Sequence, residues 1–420
     1  MYLLLNLYKD GKYDAIGKFW EATKSYDNFN EWDFLHCINA LYKLKEYEKC
    51  LDVYKECHKI FPEYTELDNK MGWSLYHTKI KDFDFKRGDS TALLAQIDYA
   101  LKHCDTEQYS PRWMIISFIA KAFKEGKIGG EQKFSLMEKY LLQINPESLS
   151  KDENKTNDGK PNASNYEQWY SFMAKALLEQ EKYDECIECC DKALTTIDKF
   201  HSNNDVWFNY RKAKSLRAIG REPEGTEIIN KALSGRFSHW CLYEYLFDNA
   251  INADDVNAAN VYAAKCSVAD RDHKMRVAFY QKYAEFLETQ GNTREAMLLH
   301  QLVISIRQEE GWKEKSYFAD WNISDEVKQM SQADILKELG SFWRKYADSD
   351  KLEGHIKKIL NEGVAGFVED ENGNTYYFSA RDFKANKSKM VEGQKVKFNL
   401  IDGFDKKKNM KTKNAANITL

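Results

Sequence analysis

The chain has 420 residues, 66 acidic against 62 basic side chains, and a formal net charge of −4. Hydrophobic residues make up 43% of it and charged ones 30%, enough to bury a core across two or three domains. The balance excludes a uniformly basic polyanion binder, and 10 Trp, 25 Tyr and 23 Phe exclude a disordered polymer. Only five prolines beside abundant Lys, Glu, Leu and Ala predict long, rarely interrupted helices.

The opening run, Met1-Tyr2-Leu3-Leu4-Leu5-Asn6-Leu7, has no basic flank and turns polar at Lys9. It is too short for a signal segment, and no run reaches the length of a membrane span, so no membrane contact is expected. Nine cysteines, an odd count, are scattered through helical segments. That usage predicts reduced thiols and a cytoplasmic setting.

From here a helix–turn–helix pattern recurs with a period somewhat above 30 residues. Tyr13, Ile16 and Trp20 form the second half of one unit. In the clearest copy, Glu31–Pro62, large residues sit at Phe34, Leu41, Tyr47 and Tyr54, with Cys50 and Cys57 where small ones are needed. Small residues let two antiparallel helices approach, and large ones fill the groove beside them. A weaker copy spans Trp113–Pro146, with Gly129-Gly130 in its turn. Another starts at Glu167 (Tyr170, Ala174, Leu177, Tyr183, Cys186, Cys190, Ala193). Further copies start at Val206 (Ala213, Leu216, Gly225, Ile229, Ala232), around Trp240–Cys266, and at Val277 (Tyr280, Ala284, Leu287, Ala296, Val303). These residues resemble the tetratricopeptide repeat over residues 1–310, and the resemblance implies a superhelical array whose groove takes a protein or peptide partner.

Two insertions interrupt the period. Lys79–Thr91 stretches one unit, and the polar Ser148–Asn165 has no hydrophobic periodicity and reads as a linker or loop. The organisation expected is a first array at 1–147, a linker or loop at 148–165, a second array at 166–310 and capping helices at 311–353. In the cap, Ile335, Leu336, Leu339, Phe342 and Trp343 mark an amphipathic helix over Ser331–Ala347.

From Gly354 the helical period gives way to β runs at His355–Leu360, Val364–Glu369, Thr375–Ala380, Gln394–Ile401 and Asn414–Leu420, with Asn372-Gly373 as a hairpin signal. Five strands in so short a segment predict a small barrel at 354–420. Gly354-His355-Ile356-Lys357, Gly366-Phe367-Val368, Thr375-Tyr376-Tyr377-Phe378, Val391–Phe398 and Ala415-Ala416-Asn417-Ile418 resemble the cold-shock domain. That family is an OB-type barrel binding single-stranded nucleic acid, so the resemblance implies RNA or single-stranded DNA as a partner. By this alignment Phe367 and Tyr377 keep the stacking chemistry, while Lys358, Ala365, Ser379 and Ala380 stand where the family carries aromatic or histidine side chains. Residues 354–420 carry 13 Lys and Arg against eight Asp and Glu, a net of +5, which leaves −9 for the helices. Lys357, Lys358, Phe367, Tyr377, Arg381, Lys395 and Lys397 are the candidate nucleic-acid contacts. Lys384, Lys387, Lys389, Lys406, Lys407, Lys408, Lys411 and Lys413 add basic charge in the loops.

Other chemistry is thin. Cys186-x-x-Cys189-Cys190 falls on packing positions and has no second ligand pair for zinc. Phosphate-loop, nucleophile-elbow and metalloprotease motifs are missing. Arg294 and His300, six apart, resemble the spacing of some helical ribonucleases, yet His300 falls on a packing position. No catalytic residue, metal or cofactor is expected. The sequence predicts a non-enzymatic adaptor in regulation or defence. The alternatives are a scaffold subunit with a structural or protein-docking barrel, and a cryptic helical ribonuclease.

Overall fold

The computed structural model describes residues 2–106, 110–156, 158–233, 239–269, 272–313, 315–349, 351–360, 363–405 and 410–420. The chain falls into two compact units, Met1–Ser215 and Leu216–Leu420. The boundary lies inside a helix.

In the first unit the helices are α1 (Tyr2–Lys9), α2 (Tyr13–Ala22), α3 (Glu31–Lys43), α4 (Tyr47–Ile60), α5 (Asp68–Leu75), α6 (Ser90–His103), α7 (Arg112–Lys124), α8 (Lys133–Leu141), α9 (Asn165–Glu179), α10 (Tyr183–Thr196) and the start of α11 (Asn204–Ala218). Asn30 caps α3 with a capping box to Asp33, and Ser164 caps α9. The stretched unit at 79–91 begins with a π-helical turn, Tyr76–Ile80, the way a helix absorbs an inserted residue.

The helix pairs share one turn. A residue of positive φ follows the first helix: Lys45 (61°), Glu181 (60°), Gly220 (80°), Asp254 (56°) and Gly291 (74°). The next N–H then reaches back to a helical carbonyl, as Glu46 to Leu41 (2.9 Å), Lys182 to Leu177 (3.0 Å), Arg221 to Leu216 (2.8 Å), Asp255 to Ala250 (2.9 Å) and Asn292 to Leu287 (2.9 Å). This is the Schellman closure, and it satisfies carbonyls the helix leaves orphaned.

One core gathers Leu4 through Met71, and a second runs from Ile80 to Phe208. The second core continues across the polar segment 148–165: Leu141 and Ile144 precede it, Tyr166 and Trp169 follow, and the Trp169 indole donates to the Leu141 carbonyl at 3.0 Å. The segment itself is a short surface hairpin, Asn154–Lys155 against Pro161–Asn162. His201 clasps it, with Nε2 2.9 Å from Glu153 and Nδ1 2.9 Å from the buried Glu167.

The second unit holds α12 (Glu222–Leu233), α13 (Trp240–Asn252), α14 (Val256–Val268), α15 (Val277–Thr289), α16 (Thr293–Glu309), α17 (Asp325–Lys328) and α18 (Gln332–Ala347). Asp255 caps α14, accepting from the Ala258 N–H at 2.9 Å. α18, capped by Ser331, packs on α14 and α16 and buries Ile335, Leu339, Phe342 and Trp343. Trp343 lies flat on Tyr280, ring centroids 6.0 Å apart.

Beyond α18 come β1 (Leu352–Leu360), β2 (Ala365–Asp370), β3 (Thr375–Ser379), β4 (Lys395–Asp405) and β5 (Met410–Thr419). They close into a barrel in the order β1-β2-β3-β5-β4. Its interior is Ile356, Val368, Phe378, Phe383, Val396, Phe398, Ala415 and Ile418. The mainly helical chain with a C-terminal five-stranded barrel is therefore the fold the sequence implied. Within this unit the barrel abuts the helices. Tyr243, Leu246 and Tyr262 share a cavity of about 210 Å³ with Asn399, Leu400, Ile401 and Asn417. Lys351, its side chain 7% exposed, ties the end of α18 to β5 by bonding Asp348 (2.7 Å) and Thr419 (3.1 Å).

Candidate nucleic-acid interface

Register decides which candidate side chains meet. Lys358 on β1 lies opposite Phe367 on β2, Phe367 opposite Tyr377 on β3, and Tyr377 opposite Asn414 on β5. One row thus crosses the outer face of four strands. Alternation turns its members outward, because Ile356, Val368 and Phe378 beside them fill the interior. The Phe367 and Tyr377 rings meet edge to face, centroids 5.8 Å apart and planes at 73°, and Tyr377 is 40% exposed. That geometry leaves a π-face for a planar ligand.

Lys357 and Lys358 both reach solvent because β1 bulges between Ile356 and Lys358. Their electrostatics differ. Lys357 bonds Glu369, its neighbour across β2, and this holds the Glu369 carboxyl below its ordinary range. Lys397 pairs with Glu353 at 2.7 Å, which lowers the Glu353 carboxyl and raises the Lys397 ammonium. Among the described residues, Lys358, Arg381 and Lys395 make no ion pair within 4 Å. The cationic part of the candidate surface is therefore Lys358, Lys395 and Arg381, with Lys357 and Lys397 already neutralised.

The seven candidates do not form one spot. Lys395 and Lys397 face the other edge of β1, opposite His355 and Glu353, where they line a shallow cleft of about 440 Å³. Arg381 follows β3, exposed. Of the positions that depart from the cold-shock pattern, Ala365 pairs with Ser379 next to the aromatic row, whereas Ala380 points into the core. Only the first two thin the outer face. The lysine run Lys406, Lys407 and Lys408 lies outside the described residues.

Sequence reasoning missed Asn414 and the two neutralising carboxylates. Beside Tyr377, a cavity of about 240 Å³ is lined by Ser379, Asp382, Ile401, Asp402 and Asn414. Cross-strand partners depend on register, and register is set by the bulge, which no residue in β1 announces.

The remaining candidates separate. Cys186 and Cys190 are buried on α10, and Cys186 donates to the Ala174 carbonyl at 3.4 Å. His300 is buried and stacked on Trp321, centroids 4.1 Å apart, and burial pushes its imidazole down to about 4. Arg294 lies at the surface, gripped by Glu338 and by Glu326 at 3.1 Å. The two are not brought together.

The profile of a family described as a domain of unknown function (DUF7017) covers residues 206–349, about a third of the chain. It spans α11 through α18 and stops before the barrel. No curated protein matches the chain.

Proposed function

We propose that the chain is a non-enzymatic adaptor of the cytosol. Its tetratricopeptide-like repeats hold a protein partner, and its cold-shock-like barrel contacts single-stranded RNA or DNA. The observation that carries the second half is the Lys358–Phe367–Tyr377 row, an ammonium beside two aromatic rings on the outer face of a five-stranded barrel. Stacking on Tyr377 and Phe367 tolerates any base, and Lys358, Lys395 and Arg381 supply backbone charge through counterion release. Stacking of this kind makes binding weakly sequence-selective, and so few free cations give it a shallow salt dependence.

Fluorescence anisotropy with labelled oligouridylate and oligothymidylate tests this. The wild type should bind in a salt-dependent way. Phe367→Ala/Tyr377→Ala should weaken it about tenfold or more, since each stacked base contributes about 1–3 kcal/mol. A wild type that binds neither strand at low salt sinks the reading.

The barrel's attachment favours a second reading, a scaffold whose barrel is structural. Lys351 bridges α18 and β5, and Leu400 and Ile401 share a cavity with Tyr243, Leu246 and Tyr262. Under it, deleting 354–420 abolishes recovery of a protein partner even after nuclease treatment, while the aromatic double variant recovers it normally.

A further inference from the structure

Within the second unit, the cavity of about 210 Å³ between the helices and the barrel is more than a packing gap. Its polar side chains are Asn230 from α12, Tyr243 from α13, Tyr262 and Lys265 from α14, Asn399 from β4 and Asn417 from β5, and leucine and isoleucine complete the wall. That set holds three carboxamides, two phenols, one ammonium and no carboxylate. None of the lining comes from β1, β2 or β3, the strands that carry the aromatic row.

The strands shape the barrel side of this wall. On the β4–β5 ladder Asn399 lies opposite Ala416 and Lys397 opposite Thr419, so two residues of β5 oppose the single Phe398. Asn417 is one of the two, and it takes a left-handed φ of 51°, which asparagine tolerates better than most residues with a side chain. A bulge re-aims the side chains it carries, and here Asn417 joins Asn399 at the cavity. Both are half-buried, and neither carboxamide makes a hydrogen bond among the described residues. Each thus offers a donor and an acceptor side by side in a partly dehydrated space, where unpaired polar groups are costly. Tyr243 and Tyr262 supply aromatic walls, and the Lys265 Nζ stands 5.9 Å from the Tyr243 ring centroid.

We infer that this cavity takes an adenine mononucleotide, with the base among the carboxamides and tyrosines and the phosphate at Lys265. Size limits the occupant: an apolar cavity of about 150 Å³ holds benzene, so this one holds a purine and leaves the sugar phosphate near its opening. Adenine presents an amino donor beside a ring-nitrogen acceptor, the pair that a carboxamide matches with two hydrogen bonds. Guanine presents two neighbouring donors, which call for a carboxylate, and the lining has none. Lys265 is the one charged lining residue and suits a phosphate. The site is independent of the proposed nucleic-acid row. Because α12, α13 and α14 contribute together with β4 and β5, the bound nucleotide fastens the barrel to the helices.

Isothermal titration of the full chain with adenosine monophosphate tests this, with guanosine monophosphate, adenosine and glucose as the other arms. The wild type should bind adenosine monophosphate saturably, guanosine monophosphate at least tenfold more weakly, and glucose not at all. Asn417→Gly deletes a carboxamide yet keeps a residue that favours positive φ, so the fold is retained, and Asn399→Ala deletes the other. Each should weaken adenosine monophosphate at least tenfold, while Lys265→Gln should weaken it and leave adenosine unaltered. Phe367→Ala/Tyr377→Ala should bind it as the wild type does. The inference is overturned by a wild type that binds no adenosine monophosphate, by equal affinity for the two monophosphates, or by glucose binding in their place. Unchanged affinity in both asparagine variants, or in Lys265→Gln, also overturns it. Loss of binding in the aromatic double variant does the same, by moving the nucleotide to the stacking row. Failure here with oligouridylate still bound strikes this site alone.

Discussion

The Cys186 thiol donates to the Ala174 carbonyl at 3.4 Å, and twelve residues again separate Cys50 from Ile38, whose carbonyl accepts at 3.7 Å. Two repeats therefore use a cysteine at the same contact, where the second helix presses on the first. The position tolerates little extra volume. Cys186→Leu should cost about 1–3 kcal/mol by overpacking, whereas Cys186→Ala should cost less. Denaturant unfolding of both variants measures the difference.

Burial also governs the thiol chemistry. It pushes Cys37, Cys50, Cys57 and Cys104 up to about 12, so almost no thiolate exists in the folded state near neutral pH. A chromogenic disulfide reagent at pH 8 should react slowly with these four thiols in the native protein, and readily with all nine cysteines once the chain is denatured. Rapid native labelling of Cys50 or Cys57 would contradict the packing described.

The left-handed turn residues differ in cost. Lys45 and Glu181 hold positive φ with a side chain, while Gly291 does so without steric penalty. Lys45→Gly and Glu181→Gly should each raise stability by about 0.5–1 kcal/mol, and Gly291→Ala should lower it by about 1 kcal/mol. Thermal unfolding distinguishes the signs.

His201 makes the surface hairpin pH-sensitive. Hydrogen bonds to Glu167, then to Glu153, raise its imidazole above the ordinary 6.5. A raised folded value means the stabilisation is complete below 6.5 and is lost as pH rises through the folded value. Amide exchange in residues 150–166, corrected for intrinsic rates, should quicken as pH increases from about 6 to 9. His201→Gln should flatten that dependence.

His300 has the opposite sign. Its imidazole is held down to about 4, so between 6.5 and 4 the unfolded chain takes a proton that the folded chain refuses. Stability should fall as pH drops through that window, by at most about 3 kcal/mol. His300→Phe keeps a ring on Trp321 and removes the buried Nε2, which has no hydrogen-bond partner among the described residues. That variant should lose the acid slope and unfold at a higher temperature at pH 5.

Helix pairs and strands were legible because they depend on near neighbours: Phe34, Leu41 and Cys50 announce their packing by spacing, and Asn372-Gly373 announces a hairpin. Two features were not. The Glu369 and Glu353 partners of Lys357 and Lys397 lie across strands, so their neutralising effect needs the register. The second core runs unbroken from Ile80 to Phe208 beneath a polar segment, because Leu141 and Trp169 touch irrespective of what joins them.

The five joints of the barrel are unequal. β4 and β5 share a long ladder, as do β1 and β2, but β3 meets β5 through the single parallel pair Tyr377–Asn414, supplemented by the Phe383–Ile418 bridge. The ring thus behaves as a cuff with one clasp, and the clasp adjoins the exposed ring of Tyr377. That joint holds the fewest ladder pairs, so a molecule lying across Tyr377 and Asn414 would splint the cuff shut.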